Sequence, residues 1–209
     1  DNCLEYLEQY KNNPKIEIFK ATEVDKSHQA FYNLYCNQLL DKVQNGWIMF
    51  LDDDDVINTD KYTLQKINNN LDNENNMLFW KVKIANLVIY PENINKIEKT
   101  KVSGIGFCFN SKFKHLAKWD GDRCSDYRFI TKLLENKKDF KRIFIDKILT
   151  CVQHNDKMGL LGKPENYNNI DYLLKNTWIW KSDKEIPIEM TVALPALNAK
   201  KIIWLALES

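Results

Sequence analysis

The run of four aspartates from Asp52 to Asp55 is the strongest chemical signal in the sequence. It directly follows Trp47–Leu51, a continuous apolar run that is typical of a buried parallel strand. Four adjacent carboxylates repel one another, and a divalent cation with hard oxygen ligands, Mn²⁺ or Mg²⁺, offsets that repulsion. Because open α/β sheets bind ligands beyond the carboxyl ends of their strands, the run predicts a metal and diphosphate site. The alternative interpretation is a solvated acidic loop.

The elements that position this run are predicted to alternate between helices and strands, which indicates an α/β fold. Apolar residues recur at helical spacing in four segments, and short apolar or alternating runs predict strands between them. The predicted helices cover 2–11, 27–44, a segment after Thr59, and 126–135. The predicted strands cover 15–19, 47–51, 77–80, 87–90, 105–109 and 142–152.

Composition excludes several classes of partner. The chain has 209 residues and a formal net charge of +1, with acids and bases interspersed, so we expect neither a nucleic-acid nor a membrane-surface partner. No apolar run approaches the roughly 20 residues that span a bilayer, so we expect no membrane span. The five cysteines are scattered without a CxxC pair, which favours reduced thiols and a cytoplasmic location.

The segment Gly46–Asp55 resembles the stretch of family 2 glycosyltransferases, of the GT-A fold, that ends in Leu-Asp-x-Asp-Asp. Asn37 occupies the place where that family has an Asn, nine residues before the Gly. The resemblance implies a GT-A-like mixed, mostly parallel sheet flanked by helices. It also implies that Asp52 and Asp53 bind the sugar-nucleotide donor and that Asp54 holds the metal. Asp55 would be a supporting acid.

The segment Trp119–Phe129 resembles the part of the same family that holds the catalytic acid at a helix N-terminus. The resemblance makes Asp126 the candidate general base, which removes a proton from the acceptor hydroxyl. Asp120 and Asp122 are the alternatives for this role. A structural interpretation also stands, because Ser125 or Asp126 has the chemistry of a helix cap.

Two further matches follow in the order of the family. Ser103–Gly106 resembles its glycine-containing loop, in which Gly104 would let the backbone approach the donor closely. His154, just after the strand predicted at 142–152, matches the histidine that often completes the metal shell. The alternatives are an ordinary turn at Gly104 and a structural role for His154.

The last twenty residues, 190–209, are predicted to form a buried strand, a turn and an amphipathic helix. They resemble the start of the same family, with a first strand that ends in Pro-x-x-Asn, so Pro195 and Asn198 would bind the donor. In the family this segment comes first, which implies a circular permutation or a chain cut between two tandem modules. A plain C-terminal strand and helix is the alternative. The domain prediction is a main GT-A-like part over 1–158, an Asn-rich connection over 159–187, and the permuted strand and helix over 188–209.

The resemblance predicts a metal-dependent glycosyltransferase that moves a sugar from a nucleotide-sugar to an acceptor hydroxyl, with inversion. A UDP-sugar is the favoured donor, and the acceptor is a glycan, a protein or a lipid. Two alternatives remain open. One is a catalytically inactive binding or assembly module, since no segment matches the family's second strand, which contacts the nucleobase. The other is a nucleotidyltransferase, which also uses paired acids after a strand.

Overall fold

The computed structural model describes residues 8–18, 20–52, 55–57, 63–84, 87–152 and 190–193. Within these ranges a seven-stranded mixed sheet is flanked by helices. The strands are β1 (Trp47–Phe50), β2 (Asp55–Ile57), β3 (Asn76–Ile84), β4 (Leu87–Ile89), β5 (Phe107–Asn110), β6 (Lys141–Val152) and β7 (Met190–Ala193). The α-helices are α1 (Tyr35–Lys42), α2 (Thr63–Asn68) and α3 (Ser125–Asn136). Short 3-10 helices cover Glu8–Tyr10, Phe31–Leu34 and Ser111–Leu116.

The sheet has the strand order β2-β6-β3-β5-β1-β7, and β4 pairs with β3 at its side. The α/β prediction is therefore confirmed, but the prediction of a mostly parallel sheet is wrong for the described strands. Only β1 with β7 and β3 with β6 pair in parallel, whereas the other four described pairings are antiparallel. A continuous apolar run predicts a strand covered on both faces, but it carries no information about the direction of the neighbouring strands.

Side chains of β1 alternate between two hydrophobic clusters on opposite faces of the sheet. Ile48 and Phe50 belong to one cluster, and Trp47 and Met49 belong to the other. All four side chains are buried, and each contributes roughly 2 kcal/mol by leaving water. Helices α1 and α3 cover the first of these clusters. They contribute Cys36, Leu40, Phe129, Ile130, Leu133 and Leu134.

Several predicted elements differ from the observed ones. The strand predicted at 15–19 is wrong over its described part, because 15–18 forms a turn and irregular chain. The Asn13 side chain accepts the N–H of Lys15, and the Asn13 carbonyl accepts the N–H of Ile16, so a local turn replaces strand pairing. The helix predicted at 27–44 is shorter and is divided into a 3-10 turn and α1.

Two of the predicted segments have no described structure, and the described part of the chain bears on two further expectations. The connection 159–187 and the helix predicted after β7 lie outside the described residues. In the described part of the chain, no helix is long and apolar enough to cross a membrane. The four cysteines within it have free thiols: Cys36, Cys108, Cys124 and Cys151.

Candidate functional site

The acidic run begins in a loop and ends inside a strand. Asp52 is exposed two residues after β1, whereas Asp55 is the first residue of β2 and is only 3% exposed. The N–H of Asp55 donates to the carbonyl oxygen of Asp52 at 3.0 Å. A wholly solvated acidic loop does not fit the burial of Asp55. Asp53 and Asp54 lie outside the described residues.

The ladder between β2 and β6 connects the acidic run with the segment before His154. In this antiparallel pair, Asp55 lies opposite Val152. Asp54 precedes Asp55 by one residue and His154 follows Val152 by two, so the chain leaves the ladder towards both predicted metal ligands at the same end. His154 lies outside the described residues, as does Asp54. Among the residues with a described position, no three His, Cys, Asp or Glu side chains converge into a metal-binding group.

Strand β7 brings a second chain segment to the same edge. It pairs in parallel with β1, and Ala193 lies opposite Phe50. Both strands therefore end together, with Asp52 two residues beyond one and Pro195 two residues beyond the other. Pro195 and Asn198 lie outside the described residues. The parallel pairing places the segment that resembles the family's first strand beside the strand that leads into the acidic run.

Asp126 lies in the first turn of α3 and is partly buried. Its carboxylate accepts the backbone N–H of Tyr127 at 2.8 Å, and the backbone N–H of Gly104 also favours the charged carboxylate. Burial raises the pKa of Asp126 above its ordinary value, and these hydrogen bonds and the charge of Arg128 oppose that rise without cancelling it. A carboxylate with a raised pKa is a stronger base than an exposed aspartate, which suits proton abstraction.

Gly104 lies against the aromatic and acidic residues of the Trp119–Phe129 segment. A Cβ at Gly104 would lie 3.2 Å from Cη2 of Trp119 and 3.9 Å from Cβ of Asp126. The missing side chain avoids a tight contact with the Trp119 indole. Two residues that the sequence analysis selected in separate segments are thus brought together.

Asp120 forms an ion pair that occupies both of its carboxylate oxygens. Nε and one terminal nitrogen of Arg128 donate to Oδ2 and Oδ1 of Asp120, each at 2.5 Å. Arg128 foremost, together with the N–H of Asp122, holds the pKa of Asp120 below its ordinary value. Asp122 is exposed and lies 3.9 Å from His28. Of the three carboxylates considered as the general base, Asp126 has a raised pKa, whereas Asp120 is paired with Arg128.

The start of α3 does not use the cap that its sequence suggests. The N-cap residue is Cys124, in a left-handed conformation with φ of 60°, and it makes no side-chain cap hydrogen bond. The Ser125 hydroxyl instead accepts the N–H of Asp120 at 2.9 Å. Asp126 accepts the N–H of Tyr127 within the first turn, but its side chain also lies against Gly104, outside the helix. The capping interpretation therefore does not account for all the contacts of Asp126.

Residues 30–37 hold the loop before α3 in place. The Asn37 amide donates to the carbonyl oxygen of Trp119 at 2.8 Å and accepts the N–H of Trp119 at 2.9 Å. The Ala30 N–H donates to Gly121 at 2.7 Å, and the Asn33 amide donates to the carbonyl of Asp122 at 3.3 Å. The sequence analysis selected Asn37 only by its distance from Gly46. Its hydrogen bonds to Trp119 were found only in the structure.

Tyr32 is a site residue that the sequence analysis missed. It lies between Ala30 and Asn33, and 42% of its surface is exposed. Burial of the remainder raises the pKa of its phenol, and the negative charges of Asp52 and Asp126 raise it further, against the opposing charge of Arg123. The Cys36 thiol also has a raised pKa, mainly from burial and secondarily from Asp52. No sequence signal separates an exposed Tyr32 from the core aromatics around it.

No model of a known protein family matches this chain, and no curated protein matches it. Function must be inferred from the geometry of the site.

Proposed function

We propose that the protein is a metal-dependent glycosyltransferase with a GT-A-like fold, which moves a sugar from a nucleotide-sugar to an acceptor hydroxyl. One observation carries the proposal: β1 and β7 pair in parallel and end together, and the acidic run begins two residues after the end of β1. The carboxyl ends of parallel strands are where such a fold binds a diphosphate, and the raised pKa of Asp126 suits a general base for the acceptor hydroxyl. A UDP-sugar is the favoured donor.

The residues proposed to hold the cation are Asp54 and His154, and its identity is Mn²⁺ or Mg²⁺. The pair Asp55 and Val152 supports this assignment, because each proposed ligand is tethered within two residues of that ladder position. A carboxylate such as that of Asp54 is a suitable ligand for Mn²⁺ or Mg²⁺. When bound, the cation would stabilise the negative charge of the departing nucleoside diphosphate.

The remaining roles belong to the chain itself. Asp126 takes the proton from the acceptor hydroxyl while the hydroxyl oxygen attacks the anomeric carbon. The backbone N–H of Gly104 orients the Asp126 carboxylate. Asp52 and Asp53 are proposed to bind the ribose side of the donor. Pro195 and Asn198 are proposed to line the same donor site after β7. The free thiols of the described cysteines support a reducing compartment, the cytoplasm, for this reaction.

A second candidate is a carbohydrate-binding or assembly module without catalysis. It is favoured by the position of β7, which ends the described strand order with no described strand beyond it. In the family that the sequence resembles, the next strand carries the acid that contacts the nucleobase. A module without that strand would retain the acceptor side of the site and lose the donor side.

The experiment is a release assay with UDP-glucose, UDP-galactose, UDP-N-acetylglucosamine and GDP-mannose as donors. We expect the wild-type protein to release nucleoside diphosphate from at least one donor with Mn²⁺ and not with EDTA. The double variant Asp52→Ala/Asp54→Ala should lose this activity, whereas Asp72→Ala, an acid in a separate loop, should retain it. Full activity in the double variant would refute the site assignment.

A further inference from the structure

The guanidinium of Arg128 joins α3 to the loop before it. Arg128 is the fourth residue of α3, and its side chain reaches back past Cys124. Nε and one terminal nitrogen donate to the two carboxylate oxygens of Asp120, each at 2.5 Å. The other terminal nitrogen donates to the carbonyl oxygen of Arg123 at 2.9 Å. We call these three hydrogen bonds the Arg128 clasp.

Asp120 extends the clasp to the start of the helix. Its carboxylate also accepts the N–H of Asp122 at 2.9 Å, and its own N–H donates to the hydroxyl of Ser125 at 2.9 Å. The Ser125 residue is only 1% exposed, so this second bond lies against the core. Asp120 is thus tied to Arg128 through its carboxylate and to the residue that precedes Asp126 through its N–H.

The local sequence does little to hold this turn. Cys124 has a left-handed conformation with φ of 60°, which is unfavourable for a residue with a Cβ. As the N-cap of α3 it also makes no side-chain hydrogen bond to the helix. Such a conformation persists only where surrounding contacts impose it. The clasp supplies contacts of this kind, because it joins the residues before Cys124 to the helix after it.

An ordinary surface ion pair is the alternative interpretation, since the Asp120 and Arg128 side chains are each 41% exposed. Two features of the clasp go beyond such a pair. The guanidinium meets the carboxylate with two parallel donors, which fixes the angle as well as the distance. Its remaining donor binds a backbone carbonyl, which an ion pair alone would not need.

The orientation of Asp126 depends on the position of this turn. The N–H of Tyr127 is among the first amides of α3, which have no partner within the helix, and the Asp126 carboxylate accepts it at 2.8 Å. Exchange of the Tyr127 amide hydrogen therefore reports how the Asp126 side chain is held.

We infer that Arg128 is a positioning residue for Asp126: through Asp120 and Arg123, its guanidinium fixes the turn at Cys124 and thereby the first turn of α3. The effect on sugar transfer rests on the proposed function, whereas the effect on the orientation of Asp126 does not. In this role Asp120 belongs to the support of the base and is not the base itself.

The test compares the full chain with Arg128→Gln, Arg128→Lys, Asp120→Asn and the double variant Asp120→Asn/Arg128→Gln. Lys132→Gln is the control, because it removes an exposed positive charge one turn further along α3. NMR measures hydrogen exchange of the Asp120 and Tyr127 amides, and the release assay gives kcat and KM for the nucleotide-sugar. Far-ultraviolet circular dichroism verifies that each variant is folded.

We expect both amides to exchange about fivefold faster or more in each clasp variant, and not in the control. Arg128→Lys should resemble Arg128→Gln, because an ammonium group keeps the charge but cannot make the bidentate contact. Transfer should fall about tenfold in kcat with KM unchanged. The double variant should lose no more than either single variant, since both single changes break the same clasp.

Unchanged exchange of the Tyr127 amide in Arg128→Gln would overturn the inference. So would full transfer by Arg128→Gln together with its loss in Asp120→Asn, because that result would make Asp120 the base. Faster exchange in the clasp variants, in a wild type that releases no nucleoside diphosphate from any donor, would uphold the positioning of Asp126 and refute the transferase.

Discussion

The backbone of Gly104 lies beside Asp126, so that a Cβ on Gly104 would lie 3.9 Å from Cβ of Asp126, a contact between a loop that precedes β5 and the first turn of α3. A Cβ on Gly104 would also meet the indole of Trp119 at 3.2 Å, a tight contact that glycine avoids. Asp126 is therefore oriented from outside its own helix while burial keeps its pKa raised. Proton abstraction by Asp126, as proposed, therefore depends on the tertiary contact with Gly104.

Asp126→Asn should reduce sugar transfer by about 10²–10⁴-fold, the usual contribution of a positioned general base. Asn keeps the shape of the side chain but cannot accept a proton at neutral pH. Binding of UDP with Mn²⁺ should be unchanged, since Asp126 acts on the acceptor. Asp122→Asn, in the same loop but exposed, is the matched control and should retain full transfer. Equal activity in the two variants would remove Asp126 from the mechanism.

The raised pKa of Asp126 also predicts how stability depends on pH. The folded state binds the Asp126 proton more tightly than the unfolded state, in which the pKa of an Asp is about 3.9. As pH rises from the unfolded-state pKa of Asp126 to its folded-state pKa, the wild type loses stability relative to Asp126→Asn. Above the folded-state pKa, the difference in unfolding free energy between the two proteins is constant. Urea unfolding of both proteins at a series of pH values measures this. A difference that does not change with pH, or that changes in the opposite direction, would contradict the assignment.

Asn37→Ala should cost about 1–3 kcal/mol of unfolding free energy, because it leaves the partly buried N–H and carbonyl of Trp119 without their partner. Asn33→Ala is the control, since Asn33 makes one longer and exposed hydrogen bond, and its cost should stay within about 0.5 kcal/mol. Chemical denaturation measures both. If Asn37→Ala loses no more unfolding free energy than Asn33→Ala, the two hydrogen bonds between Asn37 and Trp119 do not hold the loop before α3.

Gly104→Ala should lower transfer about tenfold, since the new methyl must displace the Trp119 indole by a few tenths of an ångström and disturb Asp126. Gly106→Ala is the comparison, because a Cβ there would lie 2.8 Å from Cγ2 of the buried Val82. That variant should mainly lose stability, about 1–3 kcal/mol. Thermal unfolding and the release assay separate the two effects. Unimpaired transfer in Gly104→Ala would mean that the Gly104 backbone does not orient the base.

Much of the frame was predictable from local sequence. The apolar run of β1 and the periodic apolar positions of α3 predicted both elements within one or two residues. Their signals are strong because each element is buried by its own side chains. Asp126 was selected through its place at the start of α3, and the position is confirmed while its role remains a prediction.

The rest depended on tertiary contacts that local sequence does not encode. The antiparallel partners of β1 and β3 were missed, because pairing direction is set by the path of the whole chain. The start of β2 at Asp55 was missed because adjacent aspartates favour a loop, and pairing with β6 overrides that preference. The Asp120–Arg128 ion pair joins residues on either side of the left-handed turn at Cys124, which the local sequence did not predict.

Calorimetric titration of UDP and GDP into the wild-type chain, with Mn²⁺ and with EDTA, tests the central proposal most directly. The proposal predicts binding of at least one nucleotide with Mn²⁺, its loss with EDTA, and its loss in Asp52→Ala/Asp54→Ala with Mn²⁺ present. Absence of binding of either nucleotide at millimolar concentration with Mn²⁺ would contradict the glycosyltransferase and favour the non-catalytic module.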